Sequence, residues 1–344
     1  RVSPPEKGDG AEWGLQRFQV AAVSLPGSMD AAAPIAASRA GALGLLNLSG
    51  ASASVQAEAA VGRLSRLGVS GSVGILLDLR NEDLASALIE ALPPGLILWI
   101  LAGGTGQVPK AILERARKQD VRSIGIVVTS ARQIPAALAA GPDLLVAKGS
   151  ESGGPIGEET SYVLLQQALA HCAGVPVWAW GGMGWHTTPA CRVAGAAGAV
   201  LDWQLALLRE SPLPSPVRER IRRMDGSETS VARLGGRACY RLLDQPGFTA
   251  FGRLQQAAEQ ATGKPDASDR LHSTYRELLT EVRDEFRAWP VGQDACLAAT
   301  FRRAGESVGA VVTKFRRHLD RQIDGILTAG ALAPHSAMAR DQST

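Results

Sequence analysis

Eight short apolar segments alternate with amphipathic ones between residues 18 and 205, and this alternation limits the possible folds more than any other feature. Apolar runs without polar alternation are typical of parallel strands that are buried on both faces. The amphipathic segments between them predict the helices of βα units. The predicted strands are Phe18–Ser24, Ala42–Leu48, Val73–Asp78, Leu96–Leu101, Ser123–Val128, Leu144–Lys148, Val175–Trp180 and Ala199–Asp202.

Eight parallel strands in about 190 residues predict a closed (β/α)₈ barrel, the TIM barrel. The alternative is a doubly wound open sheet, which normally has about five to seven strands and a phosphate loop after its first strand. The glycine-rich segments here follow the sixth and seventh strands instead, which favours the barrel. The predicted helices are Ala31–Arg39, Ser54–Leu67, Asn81–Leu92, Gln107–Lys118, Ala131–Ala139, Ser161–Cys172 and Thr187–Ala194.

The pattern changes after Ser211, where three prolines interrupt it. Residues 225–244 are polar and β-prone, which predicts a cap or an edge, and residues 248–289 have apolar side chains at helical spacing. A turn at 290–293 precedes one further predicted helix over about 295–327.

These boundaries predict an α/β protein, a TIM (β/α)₈ barrel with a C-terminal helical lid or substrate subdomain. The barrel is expected at 16–212, and a mostly helical cap with closing helices at 213–328. Residues 1–15 are expected to be flexible, and residues 329–344 to be a disordered tail or linker.

The composition excludes several classes of function. A formal net charge of +3 and a pI of about 8.8 are too small a basic excess to indicate nucleic-acid binding. No apolar run reaches membrane-spanning length, so no membrane association is expected. The four cysteines stand far apart without metal-ligand spacing, so we expect no metal site and a reducing, cytoplasmic location.

A glycine-rich loop, Lys148–Gly157, follows the sixth predicted strand. Glycine has no Cβ, so Gly153 and Gly154 would let a ligand ring approach the backbone closely. Lys148 ends the strand at the mouth of the predicted barrel, where it could stabilise negative charge on a ring. Glu151 adds a carboxylate to this loop. The alternative is a flexible loop with solvated charges, and a lysine that extends to solvent.

A second glycine-rich junction follows the seventh predicted strand. The main-chain N–H groups of Gly181, Gly182 and Gly184 would form an anion cradle. The dipole of the next helix, with Thr187 as its predicted N-cap, would assist it. His186 beside the cradle could act as a donor or acid toward a phosphate. The alternative is a tight turn in which the histidine only packs or caps.

The segment Gly198–Asp202 forms the eighth predicted strand and the start of the turn after it. A partner for a phosphate is expected at the end of this strand, but Asp202 stands there. A carboxylate repels a phosphate unless it points away or pairs with a cation. The alternative is that Asp202 caps a helix that begins at Gln204.

These segments resemble the nitronate monooxygenase and FMN-dependent enoyl reductase family, the 2-nitropropane dioxygenase-like proteins. The loop GSESGGPIGEETS is similar to the glycine-rich loop of that family, and GGMGWHTTPACRVAGAAGAVLD is similar to its paired phosphate-binding segments. Asn47 and Gly292–Gln293 also resemble family positions. The likeness is greatest to domains at the start of type I polyketide or polyunsaturated-fatty-acid-type synthases. The chain begins at Arg1 without an initiator Met, so we expect a piece of a longer protein.

The resemblance implies FMN as cofactor, NADPH or NADH as reductant, and reduction of a trans-2-enoyl thioester on an acyl carrier protein. It also implies other synthase domains as partners, and we leave a homodimer open. Lys148, Glu151 and His186 are the expected catalytic residues. The residues expected to bind FMN are Ser24, Asn47, Lys148, Gly153, Gly154, Gly181, Gly182, Gly184, Gly198, Asp202 and Gln293.

Two positions depart from the family pattern. Pro155 stands where the family has a histidine, and proline can neither take up nor release a proton, which disfavours nitronate oxidation. Asp202 stands where the family usually has glycine followed by threonine. The alternatives to the reductase are therefore a nitronate monooxygenase-type FMN oxidase and a catalytically degenerate, flavin-free structural or docking domain.

A basic stretch near the end of the chain is the expected docking surface for the carrier protein. The alternative is a solvated helix face. Its basic residues are Arg302, Arg303, Lys314, Arg316, Arg317 and Arg321.

Overall fold

The computed structural model describes residues 18–51, 54–172 and 174–332. Eight parallel strands form its centre: β1 (Gln19–Val23), β2 (Leu43–Asn47), β3 (Val73–Asp78), β4 (Ile97–Leu101), β5 (Ser123–Val128), β6 (Leu144–Lys148), β8 (Val177–Trp180) and β9 (Gly198–Leu201). They pair in chain order, and β9 pairs with β1 to close the barrel. The predicted TIM barrel is confirmed, and the open doubly wound sheet is excluded.

Seven helices follow the first seven barrel strands, close to their predicted positions. A 3₁₀ turn at Ala131–Gln133 replaces the predicted start of the fifth helix, because Ser130 and Gln133 form a capping box there. The helices are α1 (Ala32–Arg39), α2 (Ser54–Leu67), α3 (Glu82–Glu90), α4 (Lys110–Lys118), α5 (Ile134–Ala139), α6 (Ser161–His171) and α7 (Thr187–Val193).

The rest of the chain forms a lid over the carboxyl ends of the strands and the helices that close the barrel. A two-residue strand, β7 (Gly154–Pro155), lies in the loop after β6 and belongs to the lid sheet. The other elements are α8 (Ser215–Arg223), β10 (Thr229–Leu234), β11 (Arg237–Leu243), α9 (Ala250–Ala261), α10 (Ala267–Leu279), α11 (Ala298–Ala304) and α12 (Val308–Leu332).

The helices predicted for the lid were too long, because each predicted stretch is divided into shorter helices. The stretch predicted over 248–289 divides at Gly263 and Pro265, which cannot continue a helix well, and it ends at Leu279. The helix predicted over 295–327 is a 3₁₀ turn and two helices, with a break at 305–307.

The last helix continues to Leu332, so the first four residues of the expected tail at 329–344 are helical. The remaining tail residues and the expected flexible segment 1–15 lie outside the described residues.

The strand β7 links the core inside the barrel to the core of the lid, two of four buried apolar clusters in the described residues. Inside the barrel Trp99 and Trp178 meet edge to face, with ring centroids 5.5 Å apart. The lid has its own core, which includes the stacked rings of Tyr240 and Tyr275. The strand β7 pairs with β11, which places the lid hairpin directly on the loop that follows β6.

Gly198 should be required by the barrel interior rather than by a ligand. An added Cβ at this position would lie 2.5 Å from the Trp178 ring, so Gly198→Ala should lower the free energy of unfolding by about 1–3 kcal/mol through overpacking. Chemical denaturation measures this change. The matched control is Gly62→Ala on α2, where a Cβ meets nothing within 4 Å and should stabilise by about 0.5–1 kcal/mol. Equal effects of the two substitutions would contradict the packing account.

Candidate functional site

The carboxyl ends of β1 and β2 bring Ser24 and Asn47 together, as the sequence predicted. The hydroxyl of Ser24 accepts a hydrogen bond from the Asn47 N–H at 2.9 Å. The Asn47 Oδ1 accepts from the Ser49 N–H at 3.0 Å and from its hydroxyl at 2.6 Å. All three residues are buried, and these bonds fix the turn after β2.

Lys148 ends β6 at the mouth of the barrel, where it is bonded to the glycine-rich loop of the chain itself. Its side chain is buried, and its Nζ donates to the Gly153 carbonyl at 2.7 Å and to the Pro155 carbonyl at 2.6 Å. The ammonium also lies 5.1 Å from the centre of the Trp180 ring. Burial lowers the pKa of Lys148 to about 8, although the carboxyls of Asp202 and Asp294 oppose this. The lysine therefore holds the glycine loop in place.

Glu151 caps a helix and is not a free base. Its carboxylate accepts from the Ser161 N–H at 2.9 Å and from the Ser161 hydroxyl at 2.8 Å, at the start of α6. The loop is further constrained at Gly153, where an added Cβ would lie 1.8 Å from the Pro290 carbonyl oxygen. This loop is thus clamped between the barrel and the lid rather than open to a ligand ring.

The predicted anion cradle holds a carboxyl group of the chain itself. The Gly182 N–H donates to Asp294 Oδ2 at 3.2 Å, and the Gln204 side-chain amide donates to the same oxygen at 3.2 Å. Asp294 is only 3% exposed. The Gly184 N–H is bonded to the Thr187 hydroxyl at 2.8 Å. Thr187 is therefore the first residue of α7 and not its N-cap.

Asp202 lies beside this cradle as a second buried carboxyl. Its Oδ2 accepts from the Trp180 indole N–H at 3.0 Å, and its side chain makes no capping hydrogen bond to the 3₁₀ turn Trp203–Leu205. Among the described residues, Oδ1 of Asp202 and Oδ1 of Asp294 have no hydrogen-bond partner. Burial raises the pKa of both groups, and the Asp202 carboxyl raises that of Asp294 further.

This arrangement does not fit the phosphate of FMN. A phosphate needs donors, and the Gly182 N–H and the Gln204 amide already bond to Asp294. Asp202, the second buried carboxyl beside the cradle, would in its ionised form repel a phosphate in a site of low dielectric constant.

Three other predicted positions lie away from the cradle. His186 is exposed at the start of α7, and no hydrogen bond from its ring is found within the described ranges. Gly198 is the first residue of β9, at the opposite end of the barrel from the cradle, so it cannot bind a phosphate there. The side chain of Gln293 is exposed, and it is the next residue, Asp294, that enters the cradle.

Sequence reasoning missed Asp294 because nothing local marks it. It lies 112 residues from Gly182 along the chain, in a 3₁₀ turn that only the packing of the lid brings back to the barrel. The signal nearest to it was the Gly292–Gln293 motif, which identified the correct turn but the wrong side chain.

A separate cavity of about 470 Å³ opens between the barrel and the lid. Its walls come from the ends of β4 and β5, the loop after β6, the lid hairpin and α10. Pro155, Leu234 and Cys239 are partly exposed and supply apolar surface, and Arg132 and Arg237 are exposed at its rim. Its volume is within the range of small-molecule sites. Sequence reasoning did not find this cavity.

A buried polar network forms one wall of the cavity. Arg80 bonds to Asp78 at the end of β3 and donates to the Tyr240 hydroxyl at 2.6 Å. The Tyr240 hydroxyl lies 3.0 Å from His272 Nδ1. Since arginine only donates, the pattern that satisfies the Tyr240 hydroxyl has it donating to Nδ1 of a neutral His272, whose Nε2 has no partner among the described residues. Burial and the charge of Arg80 lower the pKa of His272 to about 4, which keeps it neutral.

The family model for nitronate monooxygenase matches residues 100–286, which is more than half of the chain. The chain belongs to the nitronate monooxygenase family. Members of this family are flavin-dependent oxidoreductases. The match runs from the end of β4 through β9 and most of the lid, so it includes Gly182, Gln204 and most of the cavity lining but neither Asp294 nor Arg80.

The comparisons with individual proteins agree with this family. A Mycobacterium tuberculosis protein, Rv1533, whose name assigns it to the monooxygenases, is 29% identical over 195 residues, which are 51% of this chain and 52% of the relative. The chain thus spans about half the length of the curated relative it matches.

Solved structures share the fold over most of the chain. FabK from Thermotoga maritima has a TM-score of 0.69 at 22% identity, covering 89% of this chain and 95% of that one. The nitroalkane oxidase of Streptomyces ansochromogenes has a TM-score of 0.64 at 20% identity, covering 90% and 96%. The enoyl reductase domain of MlnA, from the macrolactin biosynthesis cluster of Bacillus amyloliquefaciens, has a TM-score of 0.65 at 11% identity, covering 90% and 95%.

Two further expectations concern what the chain does not contain. Within the part of the chain that the structure describes, no helix is both long and apolar enough to cross a bilayer. The same residues contain no group of three or more His, Cys, Asp or Glu side chains placed to hold a metal ion. The cytoplasmic location stays a prediction.

His272 should make stability depend on pH below neutrality. Its pKa in the folded state, about 4, is below the ordinary value of 6.5, so the folded protein binds this proton less readily than the unfolded chain. The stability it contributes is present above pH 6.5 and is lost as the pH falls toward 4. His272→Gln should therefore reduce the acid loss of unfolding free energy, measured by chemical denaturation across this range. His171→Gln, at an exposed position on α6, is the control, and an equal pH slope in both variants would contradict the assignment.

Proposed function

We propose that this domain binds the acyl group of a thioester, of the trans-2-enoyl class, in the cavity between the barrel and the lid. The observation that carries the proposal is the cavity itself, with about 470 Å³ of space at the mouth of the barrel. Family membership supports chemistry at this mouth, because the active sites of TIM barrels lie at the carboxyl ends of their strands.

The lining suits a short acyl chain with a charged carrier. The partly exposed side chains of Pro155, Leu234 and Cys239 offer apolar contact for the chain. Arg132 and Arg237 at the rim suit the phosphate groups of a thioester carrier, since guanidinium groups bind phosphate through paired donors. The two carboxylates of the lining already have partners: Glu158 pairs with Arg233, and Glu159 accepts from the Ala131 N–H.

An acyl carrier protein would accordingly approach over Arg132 and Arg237. Helix α12, which carries four of the six basic residues of the docking surface expected from the sequence, packs against α1 and α7 beside β9 and β1. The cavity lies across the barrel from it, beside β4 and β5. In addition, Arg316 of this helix donates to the Ala40 carbonyl. A carrier on α12 would therefore be far from the cavity. The synthase context and a homodimer stay predictions.

The second candidate function is FMN-dependent reduction of the enoyl thioester with NADPH or NADH. It is favoured by membership of a flavin-dependent family and by the likeness to the MlnA enoyl reductase domain. The cradle as it stands opposes it, because Asp294 occupies the donors. Nitronate oxidation is less well supported, since Pro155 offers no base and Glu151 is engaged by Ser161.

Ser268→Trp should weaken acyl binding by filling the cavity. Ser268 is exposed on α10 and lines the cavity, so the indole would occupy space there without disturbing the core. Calorimetry with crotonyl-pantetheine and crotonyl-coenzyme A should show at least about tenfold weaker binding of both probes. The matched control is Ser273→Trp, exposed on the same helix and outside the cavity lining, which should bind as the wild type does.

A charge-reversal variant distinguishes the contribution of the acyl group to binding from that of the phosphate-bearing carrier. Arg132→Glu with Arg237→Glu should weaken crotonyl-coenzyme A by about tenfold or more and leave crotonyl-pantetheine, which has no phosphate, nearly unchanged. Failure of the wild-type protein to bind either probe, or equal binding by the Ser268 and Ser273 variants, would exclude the cavity as an acyl site. Visible flavin absorbance in the purified protein, bleached by NADPH, would favour the second candidate instead.

A further inference from the structure

The seat that would receive a ligand phosphate has two converging donors and is filled from within the chain. Gly182 has a φ of +67°, and this left-handed conformation turns its N–H toward the seat. The Gln204 amide approaches from the turn after β9, and both donors reach Oδ2 of Asp294 at 3.2 Å. Two donors on one oxygen is the pattern that a phosphate oxygen would accept.

Gln204 is held so that its amide must point into this seat. Its Oε1 accepts from the Asp202 N–H at 2.8 Å, and its Nε2 also donates to the Met183 carbonyl at 3.1 Å. The residue is fully buried. Without a carboxyl group in the seat, both the amide and the Gly182 N–H would lose an acceptor inside the protein, which is costly.

Asp294 is delivered to the seat by the turn that joins the lid to α11. The turn is pressed onto the loop after β6: an added Cβ at Gly292 would lie 2.6 Å from the Glu151 carbonyl oxygen. The Asp294 N–H also reaches that carbonyl, at 3.4 Å. Because the carboxyl is tethered beside the donors, its effective concentration there is high, and a free phosphate competes at a disadvantage.

We propose that Asp294 is an intramolecular substitute for a ligand phosphate, and that it closes the phosphate seat of this barrel to FMN. Asp202, the buried neighbour of the seat, adds to the exclusion in its ionised form, since its negative charge would lie beside the phosphate in a dry environment. This inference concerns the phosphate seat alone and does not depend on acyl binding in the cavity.

Asp294→Ala should open the seat. Full-length wild type and variant would be titrated with FMN and with riboflavin, which lacks the phosphate, and binding would be followed by quenching of flavin fluorescence. The wild type should not prefer FMN to riboflavin. The variant should prefer FMN by at least about tenfold, through bonds from Gly182 and Gln204 to the phosphate, and inorganic phosphate should compete. Adding Asp202→Asn should strengthen FMN binding further.

Three comparisons control the result. Gln293→Ala changes the exposed neighbour in the same turn and should behave as the wild type does. Asp294→Asn keeps the shape of the side chain and should leave the seat closed, whereas Asp294→Ser shortens it, keeps a hydroxyl, and should open it if the alanine variant fails to fold. Wild-type protein that retains FMN on purification, or folded alanine and serine variants without any preference for FMN, would overturn the inference. Acyl binding measured with the Ser268 and Ser273 variants tests the proposed function separately.

Discussion

The pairing of β7 with β11 is the contact on which the arrangement at the barrel mouth depends. Gly154 and Pro155 are aligned with Arg241 and Tyr240, so two residues of a barrel loop become the edge of the lid sheet. That alignment sets the loop after β6 under the turn at Pro290, and it brings Tyr240 beside Arg80. The filled phosphate seat and the open cavity both follow from it. The filled seat forms where the lid packs directly on the barrel, and the cavity forms where a gap remains between lid and barrel.

The barrel was predictable because its strands are buried on both faces. Each run is apolar except for a polar residue at one end of some strands, and its neighbours in sequence are also its neighbours in the sheet. The lid was less predictable. Helical spacing continues through 248–289, but Gly263 and Pro265 stop the helix locally, and no sequence pattern shows where the helix after them ends.

The location of the site was predictable from the sequence, but the contacts of its residues were not. The loop after β6 and the turn after β8 do meet at the mouth, and Ser24, Asn47, Lys148 and Gly182 lie there. The partners of these residues were not predictable, because they come from distant segments of the chain. The N–H of Gly182 could donate equally well to a phosphate or to a carboxyl oxygen. Only the fold of the lid determines that its acceptor is Asp294. The family resemblance indicated that the mouth of the barrel binds a ligand. It did not indicate that Asp294 takes the place of the ligand phosphate.

The barrel and the lid are joined by the β7–β11 seam, by side-chain hydrogen bonds such as that from Arg80 to Tyr240, and by an apolar cluster that runs from Trp203 to Trp289. Each has its own hydrophobic core, and the sheet that joins them is continuous over just two residue pairs. Changes confined to the core of the lid itself, around α9 and α10, would therefore reach the barrel mainly through these shared contacts. Such a division lets substrate specificity change through substitutions in the lid, while the barrel that supports the lid keeps its fold.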